Sequence, residues 1–94
     1  MSVRVRFPPR VHILPLMYFV YAISSLSKNY IYVGISSDVE RRFKQHNNGY
    51  EKTTRPYRPF KLILQESYSD RIAARKREKF LKSGAGKMYL KSFV

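Results

Sequence analysis

The chain has 94 residues, 44% of them hydrophobic and 15% aromatic, and its 19 Lys and Arg against 6 Asp and Glu give a formal net charge of +13. This length supports one hydrophobic core, and the hydrophobic content excludes the class of disordered chains. The sequence contains no cysteine, which excludes a disulfide framework and a thiolate zinc site. Such a charge attracts polyanions, so nucleic acid is the expected partner, with ribosome, DNA and anionic membrane all open at this point.

Residues 1–16 differ from the rest of the chain. Arginines alternate with apolar residues there, and Pro8, Pro9 and Pro15 interrupt any helix or central strand. The apolar stretch from Val11 to Ile23 is broken by His12 and Pro15 and is too short for a membrane span. A signal peptide would need a cleaner apolar segment and a small-residue cleavage site. We therefore predict an extended, weakly ordered basic arm over residues 1–16, one folded domain over residues 17–94, and no membrane association.

Two strands are predicted next. Residues 17–23 and 30–35 are rich in β-branched and aromatic side chains, and a short polar loop separates them, which predicts a β-hairpin. Side chains alternate between the two faces of a strand, so Tyr21 of the first strand and Tyr32 of the second can point to one side. Gly34 leaves room on that side for a close approach of backbone or substrate.

A helix follows the hairpin. Ser37 and Glu40 have the spacing of a capping box, which predicts a helix over residues 38–47 with Ser37 as N-cap, ending near Gly49.

Within this helix, Val39 and Phe43 form the apolar face. Arg42 and His46 are four residues apart, so they are neighbours on one flank, beside the apolar stripe. This places a fixed cation and a titratable ring at the edge of the core.

The stretch 48–59 contains Gly, Thr and Pro residues together with basic and aromatic ones, which indicates an irregular basic loop. Residues 60–66 then have the pattern of a third strand. The predicted fold class is α+β, a small three-stranded antiparallel sheet flanked by helices in the order ββαβαα.

The last two elements are helices. Ser69 or Asp70 caps a helix that runs to Lys82 and ends at Gly84, and a last short helix is expected over residues 86–93, with its contact through Met88, Tyr89 and Leu90.

The apolar stripe of the second helix passes through Ala73, Ala74, Phe80 and Leu81. Glu78 lies on this stripe, and a carboxylate that is even half-buried there needs a cation.

These residues resemble the GIY-YIG nuclease domain family, in its small stand-alone form, over residues 17–94. Val20-Tyr21 is similar to the end of the first motif half and Tyr32-Val33-Gly34 to the second, with ten residues between the tyrosines. Arg42 lies eight positions past Gly34 and His46 four further on, and Glu78 stands on the second helix. One departure concerns an asparagine that larger members carry after the glutamate. This chain has no asparagine beyond Asn48, so that role is absent or belongs to another residue such as Lys87.

The resemblance implies metal-dependent hydrolysis of a phosphodiester bond through one ion, Mg²⁺ or another divalent cation. Glu78 would hold the ion, and Tyr32 would act as general base with its pKa lowered by surrounding cations. Arg42 would stabilise the charge that develops on the phosphate, while His46 and Tyr21 would orient water or phosphate or share the base role. Taken singly, each of these residues also has an ordinary explanation as a packing aromatic or a solvated helix residue.

A metal-dependent endonuclease is thus the predicted function, in DNA repair or recombination and in the cytoplasm, associated with the nucleoid if the source is bacterial. DNA is favoured over RNA, and a protein partner could supply specificity. The alternatives are a non-catalytic nucleic-acid-binding module and an accessory domain of a partner nuclease, and the oligomeric state is open. Basic residues of the loop and the last helices are expected to grip the phosphate backbone: Lys52, Arg55, Arg58, Arg71, Arg75, Lys79, Lys82 and Lys87.

Overall fold

The structure, a computed structural model, describes residues 17–94, so the predicted basic arm lies outside the described residues. The elements follow one another as strand β1 (Tyr18–Ser25), strand β2 (Ile31–Ser36), helix α1 (Val39–Asn47), a 3₁₀ turn (Arg55–Tyr57), strand β3 (Phe60–Tyr68), helix α2 (Arg71–Lys82) and helix α3 (Gly84–Lys91). This order confirms the predicted α+β class. In the part of the chain that is described, no helix is long and apolar enough to cross a membrane.

The three strands form one antiparallel sheet in the order β2-β1-β3, with β1 in the centre. The hairpin is confirmed, and its register places Tyr21 opposite Gly34 and Ile23 opposite Tyr32. Strand β3 extends two residues beyond the prediction, because Ser67 and Tyr68 pair with the beginning of β1.

Helices cover both faces of this sheet. On one face, Val20 and Ala22 of β1 pack with Ala74, Leu81 and Leu90 of α2 and α3.

On the opposite face, Tyr21 and Ile23 pack with Val39 of α1 and with Phe60. The four residues from Val20 to Ile23 have no exposed surface, which explains why the sequence of β1 is a continuous apolar run rather than an alternating one.

The N-cap predicted for α1 is wrong, and one of the two N-caps predicted for α2 is confirmed. Ser37 is not the N-cap of α1: the Asp38 carboxylate accepts from the backbone N–H of Arg41 at 3.1 Å, because the helix begins one residue later than predicted. Of the two candidates for α2, Asp70 is the cap, and its carboxylate accepts from the N–H of Ile72 at 3.1 Å. At the other end of α1, Gly49 has a φ of +79°, a left-handed conformation that favours glycine just after a helix.

Helix α3 begins at Gly84 rather than at residue 86, because Ser83 ends α2 and at once caps α3, its hydroxyl accepting from the N–H of Gly86 at 3.2 Å. The prediction that Met88 and Tyr89 make the contact of α3 is wrong, since they are 75% and 41% exposed, and Leu90 alone of the three is buried.

Phe80, predicted on the buried stripe of α2, is also 43% exposed. The Arg77 guanidinium lies 5.4 Å from its ring centroid, so the exposed ring makes a cation–π contact.

Candidate active site

Two tyrosines of the hairpin meet above a glycine. The ring centroids of Tyr21 and Tyr32 are 6.2 Å apart, and both rings lie over Gly34. A Cβ atom at Gly34 would lie 2.9 Å from the Tyr21 hydroxyl and 3.0 Å from the Tyr32 ring. The space that the sequence suggested for backbone or substrate is therefore occupied by the tyrosines themselves, and a side chain at this position would push them apart.

Behind this pair, His46 is fully buried. Its Nε2 atom lies 3.1 Å from the hydroxyl of Tyr21, and its ring centroid lies 4.7 Å from that of Tyr32. On the far side of the ring, Nδ1 lies 2.8 Å from the hydroxyl of Thr54. The prediction placed His46 at the edge of the core; it lies inside, because the loop after α1 folds back and covers it.

Burial sets the protonation of the two buried rings. It raises the pKa of Tyr21 to about 12, with Tyr32 adding to the effect and the Arg42 guanidinium opposing it. Burial also lowers the pKa of His46, and Arg42 lowers it further while Glu51 acts in the opposite direction. At neutral pH the phenol therefore keeps its proton and the imidazole is neutral.

Arg42 is held in one orientation by two acceptors. Its Nη1 donates to the Gln45 amide oxygen at 2.8 Å and to the Glu51 carboxylate at 3.0 Å. The side chain keeps 25% of its surface exposed. A guanidinium fixed in this way presents its charge beside the tyrosine pair without the entropic cost of ordering a free side chain.

Glu78 and Tyr32 face the same cleft, which lies between the edge strand β2 and helix α2. The cavity measures about 510 Å³, and Gly34, Arg71 and Arg75 line it as well. Glu78 itself is 8% exposed. The fold therefore brings together a phenol, a nearly buried carboxylate and two guanidinium groups around one concave surface.

The Glu78 carboxylate is neutralised by cations of its own helix. Arg75 Nη1 lies 3.4 Å from one oxygen and Lys82 Nζ 3.1 Å from the other, and these two cationic side chains are 64% and 54% exposed. No group of three or more His, Cys, Asp or Glu within residues 17–94 could hold a metal ion. Glu78 is thus a single hard oxygen donor, which fits Mg²⁺, an ion that keeps most of its water and takes phosphate oxygens.

All eight predicted backbone-binding cations are exposed. Arg71 and Arg75 lie in the cleft, while Lys82 and Lys87 line a second depression of about 280 Å³ that also contains Tyr32. Tyr32 therefore stands between two basic depressions along the β2 edge.

The loop cations lie elsewhere. Lys52, Arg55 and Arg58 belong to the segment that covers His46, and Arg55 donates to the carbonyl of Gly49 at 2.7 Å. Lys79 is exposed on α2 and lines neither depression.

Two residues of the site were missed by the sequence analysis. Glu51 pairs with Arg42, and Thr54 bonds to His46. Both lie in the irregular loop, where no periodicity indicates which side chains turn inward.

Fold and site together define a small α+β domain with a basic cleft that Tyr32 and Glu78 line. Tyr21, His46 and Arg42 do not line this cleft; they lie together beside Tyr32. The family model described as the GIY-YIG catalytic domain matches residues 17–90. This chain therefore belongs to the GIY-YIG family.

Similar proteins are small as well. A UPF0213 protein of Staphylococcus epidermidis is 36% identical over 75 residues, which cover 79% of this chain and 90% of that protein. A UPF0213 protein of Staphylococcus aureus is 37% identical over 67 residues, 70% of this chain and 80% of the relative. The solution NMR structure of the UPF0213 protein BH0048 from Bacillus halodurans has a TM-score of 0.50 at 30% identity, covering 81% of this chain and 83% of that one.

Proposed function

We propose that this protein is a metal-dependent endonuclease that hydrolyses phosphodiester bonds in nucleic acid, with DNA as the favoured substrate. The observation that carries the proposal is the shared cleft of Tyr32 and Glu78, rimmed by Arg71 and Arg75. General base, metal ligand and phosphate-binding cations are the groups that such a reaction needs. Membership of a family whose model is described as a catalytic domain supports the same conclusion.

Tyr32 is the member of the tyrosine pair that lines the cleft, so we assign it the role of accepting the proton of the attacking water. Tyr21 and His46 have no exposed surface. They would fix the orientation of the Tyr32 ring and would not contact the phosphate. Arg42 supplies a fixed positive charge for the developing negative charge on the phosphate.

Glu78 would hold one Mg²⁺ ion, with water and phosphate oxygens as the other ligands. When bound, the cation would neutralise the non-bridging phosphate oxygens and assist the leaving group. Arg75 and Lys82, whose ion pairs now neutralise Glu78, would then be free to bind the phosphates on either side. Lys87, the candidate for the role of the missing asparagine, lines the depression next to Tyr32 rather than the cleft of Glu78.

A cleavage panel tests the proposal. Labelled branched, duplex and single-stranded DNA and RNA are incubated with Mg²⁺ or with EDTA, using the wild type, Glu78→Gln and the control Glu40→Gln. Glu40 lies on α1 with 81% of its side chain exposed. We expect no cleavage in EDTA, a loss of roughly a hundredfold or more in Glu78→Gln, and unchanged cleavage in Glu40→Gln. Cleavage in EDTA, or full activity of Glu78→Gln, would contradict the proposal.

A non-catalytic binding module is the second candidate. The ion pairs that occupy both oxygens of Glu78 favour it, because a carboxylate already neutralised by Arg75 and Lys82 needs no metal ion. The charge of +13 is sufficient for binding to nucleic acid. Tight binding by the wild type with no cleavage of any substrate in the panel would establish this alternative. If this protein pulls down a nuclease that cuts only in its presence, the accessory role would be indicated instead. In either case the proposed location is the cytoplasm, on the nucleoid if the source is bacterial.

A further inference from the structure

Thr54 is a buried polar residue to which the proposed reaction gives no role. It is 1% exposed, and its hydroxyl lies 2.8 Å from Nδ1 of His46. The other ring nitrogen of His46, Nε2, lies 3.1 Å from the hydroxyl of Tyr21. Thr54, His46 and Tyr21 thus form one continuous buried chain of hydrogen bonds that runs from the basic loop to the tyrosine pair.

The protons of this hydrogen-bonded series can be assigned by matching donors with acceptors. The Thr54 hydroxyl donates to the carbonyl oxygen of Glu51 at 3.5 Å, which leaves its oxygen as an acceptor for Nδ1–H. Nε2 then carries no proton and accepts from the phenol of Tyr21. In the opposite tautomer Nε2–H would point at the phenol oxygen, and the phenol proton would be left beside Arg42, which can only donate.

We propose that Thr54 is a positioning residue of the nuclease reaction: its hydroxyl holds His46 as the Nδ1–H tautomer and, through that ring, fixes Tyr21 and Tyr32. This inference rests on the proposed function. The ring of His46 lies between the two tyrosines, 6.2 Å from the centroid of Tyr21 and 4.7 Å from that of Tyr32. A rotation of the imidazole would therefore move both rings, including the one that faces the cleft.

The position of Thr54 in the sequence connects the orientation of His46 to substrate binding. It directly precedes the 3₁₀ turn Arg55–Tyr57, in the loop that carries the basic side chains. Tyr57 of that turn stacks on Tyr30 of the hairpin with centroids 3.9 Å apart, and Ser25 donates to the carbonyl of Tyr57 at 2.5 Å. The loop is thus fastened to the hairpin on one side and to His46 on the other, so a phosphate held by the loop is placed relative to Tyr32.

The test compares Thr54→Val, which keeps the shape but removes the hydroxyl, with the conservative variant Thr54→Ser and with Thr53→Val at the exposed neighbouring position. We expect kcat to fall about tenfold or more in Thr54→Val with KM little changed, the order found when an orienting partner of a functional histidine is removed. Thr54→Ser and Thr53→Val should cleave like the wild type. Thermal unfolding of each variant separates this effect from a general loss of stability.

Nitrogen-15 NMR of the imidazole rings supplies a readout that does not depend on activity. The chain contains two histidines, so a His12→Gln variant assigns the signals. We expect the Nδ1–H tautomer in the wild type and in Thr54→Ser, and a shift toward Nε2–H in Thr54→Val.

An Nε2–H tautomer in the wild type, or an unchanged tautomer and kcat in Thr54→Val, would overturn the inference. A loss in Thr54→Ser with wild-type activity in Thr54→Val would show that the methyl group and its packing matter, not the hydroxyl, and would also overturn the inference. If no protein of the series cleaves, the nuclease proposal fails, and the tautomer measurement still decides whether Thr54 sets the state of His46.

Discussion

Two chemically identical side chains, Tyr21 and Tyr32, have different environments, and the proposed reaction gives them different roles. Tyr21 has no exposed surface and bonds to His46, whereas Tyr32 is half-exposed and lines the cleft. Burial keeps Tyr21 protonated by raising its pKa to about 12. A protonated phenol can donate a hydrogen bond but cannot accept a proton from water, so the burial of Tyr21 supports the proposal that Tyr32 is the general base.

Substitutions at Tyr32 and Arg42 test this division. We expect Tyr32→Phe and Arg42→Ala each to lower cleavage by roughly a hundredfold or more, the order associated with loss of a general base or of a transition-state charge. Duplex binding should change little, because affinity is spread over many cations. Tyr50→Phe and Arg41→Ala are matched controls, since Tyr50 is 71% exposed and the side chain of Arg41 is 63% exposed. Wild-type cleavage by both test variants would place the activity elsewhere.

The buried rings also predict how stability depends on pH. The pKa of His46 is lowered from 6.5, so the unfolded chain takes up this proton before the folded chain does. The stability that neutral His46 contributes is therefore complete above pH 6.5. It is lost as the pH falls toward the lower pKa that His46 has in the folded state. The pKa of Tyr21 is raised from 10.0 to about 12, so its contribution is present below pH 10 and is lost between pH 10 and 12.

Urea unfolding from pH 7.5 to 5.5 should therefore show a falling free energy of unfolding in the His12→Gln variant, where His46 is the remaining histidine. At the alkaline end, Tyr21→Phe should lose less stability between pH 9 and 11.5 than the wild type does. A flat profile on the acid side, or identical alkaline profiles, would show that burial does not act on these two groups as described.

The order and spacing of five residues predicted the candidate site, but not how deeply some of them are buried. These residues are Tyr21, Tyr32, Arg42, His46 and Glu78. Val39, Phe43 and His46 are spaced i, i+4 and i+7, which is one face of a helix. The burial of His46 was therefore predictable from the helical periodicity. It was not predicted because histidine is a polar residue. Glu51 and Thr54 were not predictable, because nothing local to an irregular loop indicates which side chains turn inward.

At the scale of elements, helices α2 and α3 form a single unit joined at Ser83. This residue ends one helix and caps the next, and Leu90 of α3 reaches the core beside Ala74 and Leu81 of α2. A glycine at position 84 is typical of a helix end, which predicts an α3 start at residue 86. Gly84 is instead the first residue of α3, so composition identified the helices and cap geometry decided their ends.

The two glycines of this junction make a matched pair of substitutions. A Cβ at Gly86 would collide with the carbonyl oxygen of Phe80 and lie 2.5 Å from the Cα of Leu81, whereas a Cβ at Gly84 meets nothing within 4 Å. We expect Gly86→Ala to destabilise by about 2 kcal/mol or more, as overpacking against a backbone does. Gly84→Ala should be neutral or stabilise by about 0.5 kcal/mol, because alanine restricts the unfolded chain. Urea unfolding measures both, and equal effects would contradict the close approach of α3 to α2.

At the scale of the molecule, the arrangement of the layers places the site. Strand β1 is buried on both faces, so the exposed groups of the candidate site lie beside the free edge of β2. Helix α2 lies along this edge, and its Glu78 lines the same cleft as Tyr32. The fold class was predictable because hairpin, caps and apolar runs all agree with one architecture. The meeting of α2 with the β2 edge depends on contacts far apart in sequence, and local patterns carry no information about it.

The charge of the whole molecule predicts how binding responds to salt. Exposed cations of α2 and Lys87 lie on both sides of Tyr32, and others lie on the loop that covers His46, so the protein can contact several phosphates at once. If about six phosphates of a duplex are neutralised, the logarithm of the binding constant should fall with the logarithm of salt concentration at a slope of roughly −5. The Glu78→Gln protein, which we expect not to cleave, allows this measurement by fluorescence anisotropy in Mg²⁺.

Single substitutions then distinguish contacting cations from those that only increase solubility. Lys52→Ala and Arg58→Ala should each make the slope shallower by about 1 if the loop grips the backbone, because each removes one phosphate contact. Arg41→Ala on α1 removes the same charge from a side chain that pairs with Asp38 and lines neither depression beside Tyr32, so it should leave the slope nearly unchanged. If all three variants reduce the slope equally, net charge rather than the loop sets the affinity. A slope near zero in the parent protein would mean that the basic surface does not bind phosphates, and the nuclease proposal would lose its account of how the substrate is held.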